Sequence, residues 1–92
     1  MDYDHKTCLW QRPENHVDLA RKAIVSLALP IKDTDNSLYT LSDPREESLT
    51  MIKIEYDEIN KRTLIRTETT PNTKPPQKLV RILEEQDFEK IN

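Results

Sequence analysis

The sequence predicts an α+β fold in which a small antiparallel sheet packs against two helices. Three observations carry that prediction. Ile52, Ile54 and Tyr56 alternate with Lys53, Glu55 and Asp57, the period of two that marks a strand with one buried face. Residues 63–69 are again rich in β-branched side chains around Ile65, which makes a hairpin over 49–57 and 62–69. Helical periodicity flanks this hairpin over about 15–29 and 77–91.

Residues 1–12 read as an N-terminal tail or edge strand with one apolar knot, Cys8-Leu9-Trp10, and residues 13–92 read as a single α+β domain. Val17, Ala20, Ile24, Leu27 and Ala28 form the stripe of the first helix. Asn15 is its candidate N-cap, Asp18 complements its first turn, and Pro30 ends it. A buried strand over 23–31 would exceed the usual strand length, so helix is the expectation. Residues 32–36 read as a loop and 37–41 as a short strand. Asp43-Pro44-Arg45-Glu46 has the pattern of a helix start with room for one turn.

The hairpin register can be argued from charge. With Asn60-Lys61 as a tight primed turn, Ile59 faces Arg62, Glu55 faces Arg66, Lys53 faces Glu68 and Tyr56 faces Ile65. Each opposite-charge pair contributes roughly 0.2–1 kcal/mol. A register with Asp57 opposite Arg62 would instead set Lys53 against Arg66, so the first register is expected. Met51 and Leu64 then lie on the charged face without a reason.

After the hairpin, Pro71, Pro75 and Pro76 make a stiff connector to the last helix, whose stripe holds Leu79, Ile82, Leu83 and Gln86. Phe88 falls off that stripe. Lys74, Lys78 and Arg81 lie at the start of this helix, and Glu84, Glu85, Asp87 and Glu89 in its second half. The helix dipole favours the reverse order. Local pairs such as Arg81–Glu85 explain the arrangement as a solvated face. The sharper reading makes Lys74, Lys78 and Arg81 an anion or nucleic-acid contact.

Composition narrows the function. The 92-residue chain has a net charge of −3 and no glycine, which excludes glycine-loop phosphate sites and nucleophile elbows. Acids and bases balance within the hairpin and within residues 71–92, so the basic footprint of a nucleic-acid binder is missing. No apolar run is long enough for a membrane span, and the N-terminus lacks the apolar region of a secretory signal. One cysteine cannot form an internal disulfide, which fits a reducing, intracellular (cytoplasmic) setting. His5, Cys8 and His16 are metal-ligand types at H-x2-C-x7-H, a spacing with no fourth ligand, so no metal or other cofactor is expected. No triad is present, and carboxylate pairs such as Asp57-Glu58 and Glu84-Glu85 read as solvated; the chain is not expected to be an enzyme.

The order helix, three strands, helix, with Lys74, Lys78 and Arg81 at the start of the last helix, resembles the double-stranded-RNA-binding domain over about Asn15–Ile91. That resemblance implies phosphate contacts across a groove. The family's glycine-proline-histidine loop falls where this chain has DPREES, and its lysine cluster where this chain has K-P-P-Q-K. It therefore implies a degenerate copy that serves as a protein contact. If residues 6–11 add a strand, the order matches one that recurs in small accessory subunits. The expected function is accordingly a non-catalytic protein-protein interaction protein, an accessory subunit, adaptor or inhibitor of a larger complex. Trp10 and Phe88 are the expected partner-binding anchors, being aromatics outside the core stripes. A homodimer through the 37–41 edge strand is the expected route to self-association. A nucleic-acid-binding module is the alternative, and it is not favoured.

Overall fold

The computed structural model describes residues 6–27, 31–35, 38–43, 48–70 and 75–91. Its elements are β1 (Lys6–Pro13), α1 (Val17–Val25), β2 (Ile31–Asp35), β3 (Leu38–Asp43), β4 (Ser48–Asp57), β5 (Arg62–Thr70), α2 (Gln77–Glu85) and β6 (Glu89–Lys90). The strands form one antiparallel sheet in the order β2-β3-β4-β5-β1-β6. The fold is α+β, with the sheet packed against the two helices.

The topology explains why both helices share a face. β2 to β5 form a meander. The connection from β1 through α1 to β2, and that from β5 through α2 to β6, each join strands that run the same way. They leave their first strands in opposite directions and travel opposite ways across the sheet. A half-turn about the sheet normal interchanges two such connections, so one hand of crossover sets both helices on the same side.

Alternation along the strands decides what that side buries. Ser48, Thr50, Ile52 and Ile54 of β4 face inward, as do Thr63, Ile65, Thr67 and Thr69 of β5. Neighbouring strands extend the rows: Tyr39–Ile52–Thr67–Cys8, and Ile54–Ile65–Trp10. Ala20 and Ile24 of α1 and Leu79 and Leu83 of α2 close over them. The two alanines of α1, Ala20 and Ala23, let its backbone lie close to the sheet.

α1 starts on a borrowed cap. No side chain at His16 caps it, and the Asn15 Oδ1 accepts from the Val17 N–H at 3.2 Å. Thr63 of β5 does the rest: its hydroxyl accepts from the His16 N–H at 2.7 Å and donates to the Glu14 carbonyl at 2.8 Å. α1 is shorter than the sequence suggests, 17–25 within the expected 15–29. The Ser26 hydroxyl donates to the Ala23 carbonyl at 2.6 Å, and the Leu27 N–H bonds the Ile24 carbonyl, a tightened last turn. Residues 28–30 lie outside the described residues, as do 44–47, where one helical turn was expected.

α2 also ends early, at Glu85 and not at residue 91. Asp87 adopts φ 62°, its N–H donates to the Glu84 carbonyl, and the Phe88 N–H donates to the Leu83 carbonyl at 3.0 Å. This is a Schellman motif, with Phe88 and Leu83 as its hydrophobic pair, both buried. The Arg12 guanidinium donates to the Gln86 carbonyl at 2.9 Å and places a cation at the negative end of the dipole. The chain then turns back as β6, and the Ile91 N–H donates to the Leu9 carbonyl at 2.8 Å. β2, read from sequence as a loop over 32–36, pairs along β3 and forms the far edge.

The hairpin register differs from the one argued from charge. Asp57 faces Arg62, Glu55 faces Leu64, Lys53 faces Arg66 and Ile54 faces Ile65. Two features decide it. The Asp57 carboxylate accepts from the Ile59 and Asn60 N–H groups, from the Asn60 side-chain amide at 2.9 Å and from the Arg62 Nε at 3.3 Å. Lys61, not Asn60, takes the positive φ of the turn. On the buried face this register opposes Ile54 with Ile65 and lets the Thr50 and Thr69 hydroxyls bond at 3.1 Å. A two-residue slip would separate both pairs. A buried hydroxyl stripped of its partner costs about 1–3 kcal/mol, more than an exposed ion pair returns.

Two outcomes follow for stability. Asp87→Gly should remove the left-handed penalty of about 1–2 kcal/mol, less the entropy glycine adds to the unfolded chain, a net gain of about 0.5–1 kcal/mol. Thermal melting should show a rise of roughly 2–8 °C, and an unchanged midpoint would remove Asp87 as a strained position. The Asp57 carboxyl is held below its ordinary value of 3.8, chiefly by the Asn60 side chain, then by the Asn60 N–H; desolvation opposes them, and Arg62 and Ile59 add smaller lowering effects. Its contribution is fully present above 3.8 and is lost as pH falls through the lower folded value. Denaturant unfolding of the protein and of Asp57→Asn should therefore converge in the acid range; a difference that stays constant with pH would contradict this.

Candidate functional site

The alternation that buries one face of the sheet presents the other. Leu38, Thr40 and Ser42 of β3, Leu49, Met51, Lys53 and Glu55 of β4, Leu64, Arg66 and Glu68 of β5, and Leu9 and Gln11 of β1 point away from the helices. No described element covers this face. Leu49 and Met51 are 41% and 43% exposed.

The register places a defined chemistry at the centre of this face. One row across the sheet reads Leu38–Lys53–Arg66–Leu9, and the next Thr40–Met51–Glu68–Thr7. Two cations thus sit opposite each other, with Leu38 and Leu9 at the ends of their row, Met51 and Glu68 in the row on one side and Glu55 and Leu64 in the row on the other. Arg66 makes one ion pair, to Glu68 at 3.5 Å, with both side chains substantially exposed. Lys53 has no ion pair among the described residues. Leu38, Met51, Lys53, Arg66 and Glu68 line an open groove of about 330 Å³. The groove carries two positive charges and one negative.

The anchors expected from sequence are elsewhere. Trp10 is 2% and Phe88 4% exposed, both inside the core cluster. Their apparent isolation from the helical stripes has a physical cause. Trp10 is on the inward face of a strand, and Phe88 follows the turn that ends α2 and swings it onto Leu83. Neither presents a surface to a partner. The 37–41 strand is likewise no edge, since β3 lies between β2 and β4. Lys78 and Arg81 are exposed on α2, whose first turn holds no acid and has no side-chain cap. Lys74 lies outside the described residues, and Arg81 forms no ion pair with Glu85. Lys78 and Arg81 lie three residues apart on α2.

Groups with chemical potential are scattered. Cys8 is buried opposite Thr67, and His16 sits at the start of α1. His5 lies outside the described residues. Among the described residues no three His, Cys, Asp or Glu side chains cluster to hold a metal ion. No described helix is long and apolar enough to cross a membrane. The four strands between the helices, and β1 inserted beside β5, depart from the helix, three strands, helix order behind the RNA-binding resemblance.

What sequence reading missed was the open face. Its signal was visible: Met51 and Leu64 fell on the charged side of the hairpin with no reason to be there. No family model, curated protein or solved structure matches the chain.

The apposed cations have an energetic consequence. Like charges directly opposite on a sheet are destabilising, so Lys53→Glu should stabilise the hairpin by about 0.2–1 kcal/mol. Denaturant titration would read the gain as a higher midpoint at unchanged slope. A lower midpoint would mean that Lys53 is already neutralised in the folded protein.

Proposed function

We propose that the protein is a non-catalytic interaction module that docks a protein partner on its open sheet face, in the manner of an accessory subunit, adaptor or inhibitor. The carrying observation is the row Leu38–Lys53–Arg66–Leu9 with Met51 beside it: apolar side chains and apposed like charges left uncovered at the centre of a sheet. A sheet buries its second face when another layer is added, and Leu49 and Met51 leave apolar surface uncovered on this one. The helices already fill the first face. A small domain of this size gains from a partner that completes its burial.

The nucleic-acid reading has weaker support. Lys78 and Arg81 are two exposed cations on one helix, and among the described residues the open face holds no aromatic side chain on which bases could stack. Trp10, Tyr39 and Phe88 are all committed to the core.

The direct test is affinity capture from the source cell's extract with the protein, with Leu49→Asp/Met51→Asp, and with Lys78→Glu/Arg81→Glu as a surface control. The open-face pair should abolish recovery of the partner and leave the melting temperature within a few degrees, since both residues are exposed. The α2 pair should leave recovery intact. Capture that survives the open-face substitutions, or that fails only with the α2 pair, would refute the assignment.

A further inference from the structure

α2 carries its charges against its own dipole. Its first turn holds no acid and its last turn no base, while Lys78 and Arg81 lie toward its start and Glu84 and Glu85 at its end. All four residues are exposed, and none forms an ion pair among the described residues. We propose that the outer face of the helix layer is a self-association surface, on which α2 lies antiparallel to the α2 of a second copy. This contact is separate from the docking role of the open sheet face.

The topology gathers the charges of both helices into two poles. α1 begins at the hairpin-turn end of the sheet, where the His16 N–H bonds the Thr63 hydroxyl, and α2 ends there, where the Arg12 guanidinium holds the Gln86 carbonyl. Thr63 and Arg12 are themselves opposite each other in the sheet. The two helices touch and run in opposite directions. Asp18, in the first turn of α1, therefore shares one end of the layer with Glu84 and Glu85. Lys22, in the last turn of α1, shares the other end with Lys78. Asp18 and Lys22 are exposed as well. Among the described residues the ion pair of this layer is Arg21 to Asp18 at 3.8 Å, within α1. One end of the layer is thus acidic and the other basic.

That polarity is self-complementary. A two-fold axis lying across the two helices turns the acidic end of one copy onto the basic end of the other, and symmetry repeats the contact. Lys78 and Arg81 then meet Glu84 and Glu85 of the second copy. The incoming acids reach the positive end of the α2 dipole and the incoming bases its negative end, the order that α2 lacks by itself. Asp18 meets Lys22 in the same way. A two-fold axis along the helices would set like ends together, so charge selects one orientation. A polyanion fits poorly, because it would meet carboxylates over half of the layer. Among the described helix residues Val25 is the large apolar side chain left exposed, so the contact is chiefly electrostatic. Exposed ion pairs are individually weak, and a dimer that relies on several of them dissociates in salt.

Sedimentation of the whole protein over a concentration series, at low and at high salt, is the test. The protein should dimerise at low salt, with a dissociation constant that rises roughly tenfold or more at high salt. Lys78→Glu/Arg81→Glu leaves only acids on α2, and Glu84→Lys/Glu85→Lys leaves only bases. Each variant should sediment as a monomer alone, and an equimolar mixture of the two should restore the dimer. Both sets of substitutions run with the helix dipole, so melting curves should show each variant folded. Leu49→Asp/Met51→Asp should leave the dimer intact. A protein that is monomeric at low salt, a dimer that either charge variant retains by itself, or a mixture that stays monomeric would overturn the proposal. A dimer that the open-face pair dissociates would also overturn it, by placing the contact on the sheet.

Discussion

The register of β4 against β5 is the constraint on which the other features depend. It is held at one end by a carboxylate and along its length by the buried rows. Asp57 gathers the loop, and Ile54–Ile65 and Thr50–Thr69 meet beneath the helices. Because strand side chains alternate, one choice of register sets both faces. The buried face is satisfied by this choice, and the exposed face inherits Lys53 opposite Arg66. β5 pairs with β1 on its other side, in a register that sets Leu9 against Arg66 and Trp10 against Ile65. The fold and the candidate site are two sides of a single alignment.

A chain without glycine has to make its left-handed turns with other residues. Among the described residues three positions do so: Glu14 after β1, Lys61 in the hairpin and Asp87 after α2. Two of them are joined, since the Glu14 N–H donates to the Lys61 carbonyl at 2.9 Å. Thr63 lies beside this junction and ties the Glu14 carbonyl to the start of α1. The strain is therefore concentrated where β1, α1 and the hairpin meet and where several hydrogen bonds over-determine the backbone. Asp87 stands apart, and its turn is held by the burial of Phe88.

Much of the architecture was legible in the sequence, for reasons that can be located. Ile52 and Ile54 alternate cleanly with charged residues, so the inner face of β4 was readable. The sheet and both helices followed from periodicity. Register was not readable, because a two-residue slip preserves the alternation. The deciding terms were an Asp57 side chain folded back on its own loop and a bond between two threonine hydroxyls. Apolar pattern records neither. β2 was hidden by its polar composition, Lys32-Asp33-Thr34-Asp35, on an edge strand. α2 seemed to continue because no glycine announced its end, and that misplaced Phe88. The candidate site was half legible: Met51 and Leu64 were conspicuous on a polar face, but the cation row exists only in the observed register.

The central claim is that buried pairing and the Asp57 turn override surface charge and set Lys53 against Arg66. Cross-strand proton contacts in solution test it most directly. Nuclear Overhauser effects should connect the backbones of Lys53 with Arg66 and of Ile54 with Ile65. Contacts joining Lys53 with Glu68 and Glu55 with Arg66 would contradict the account, because they would restore neutral pairs and dissolve the cation row.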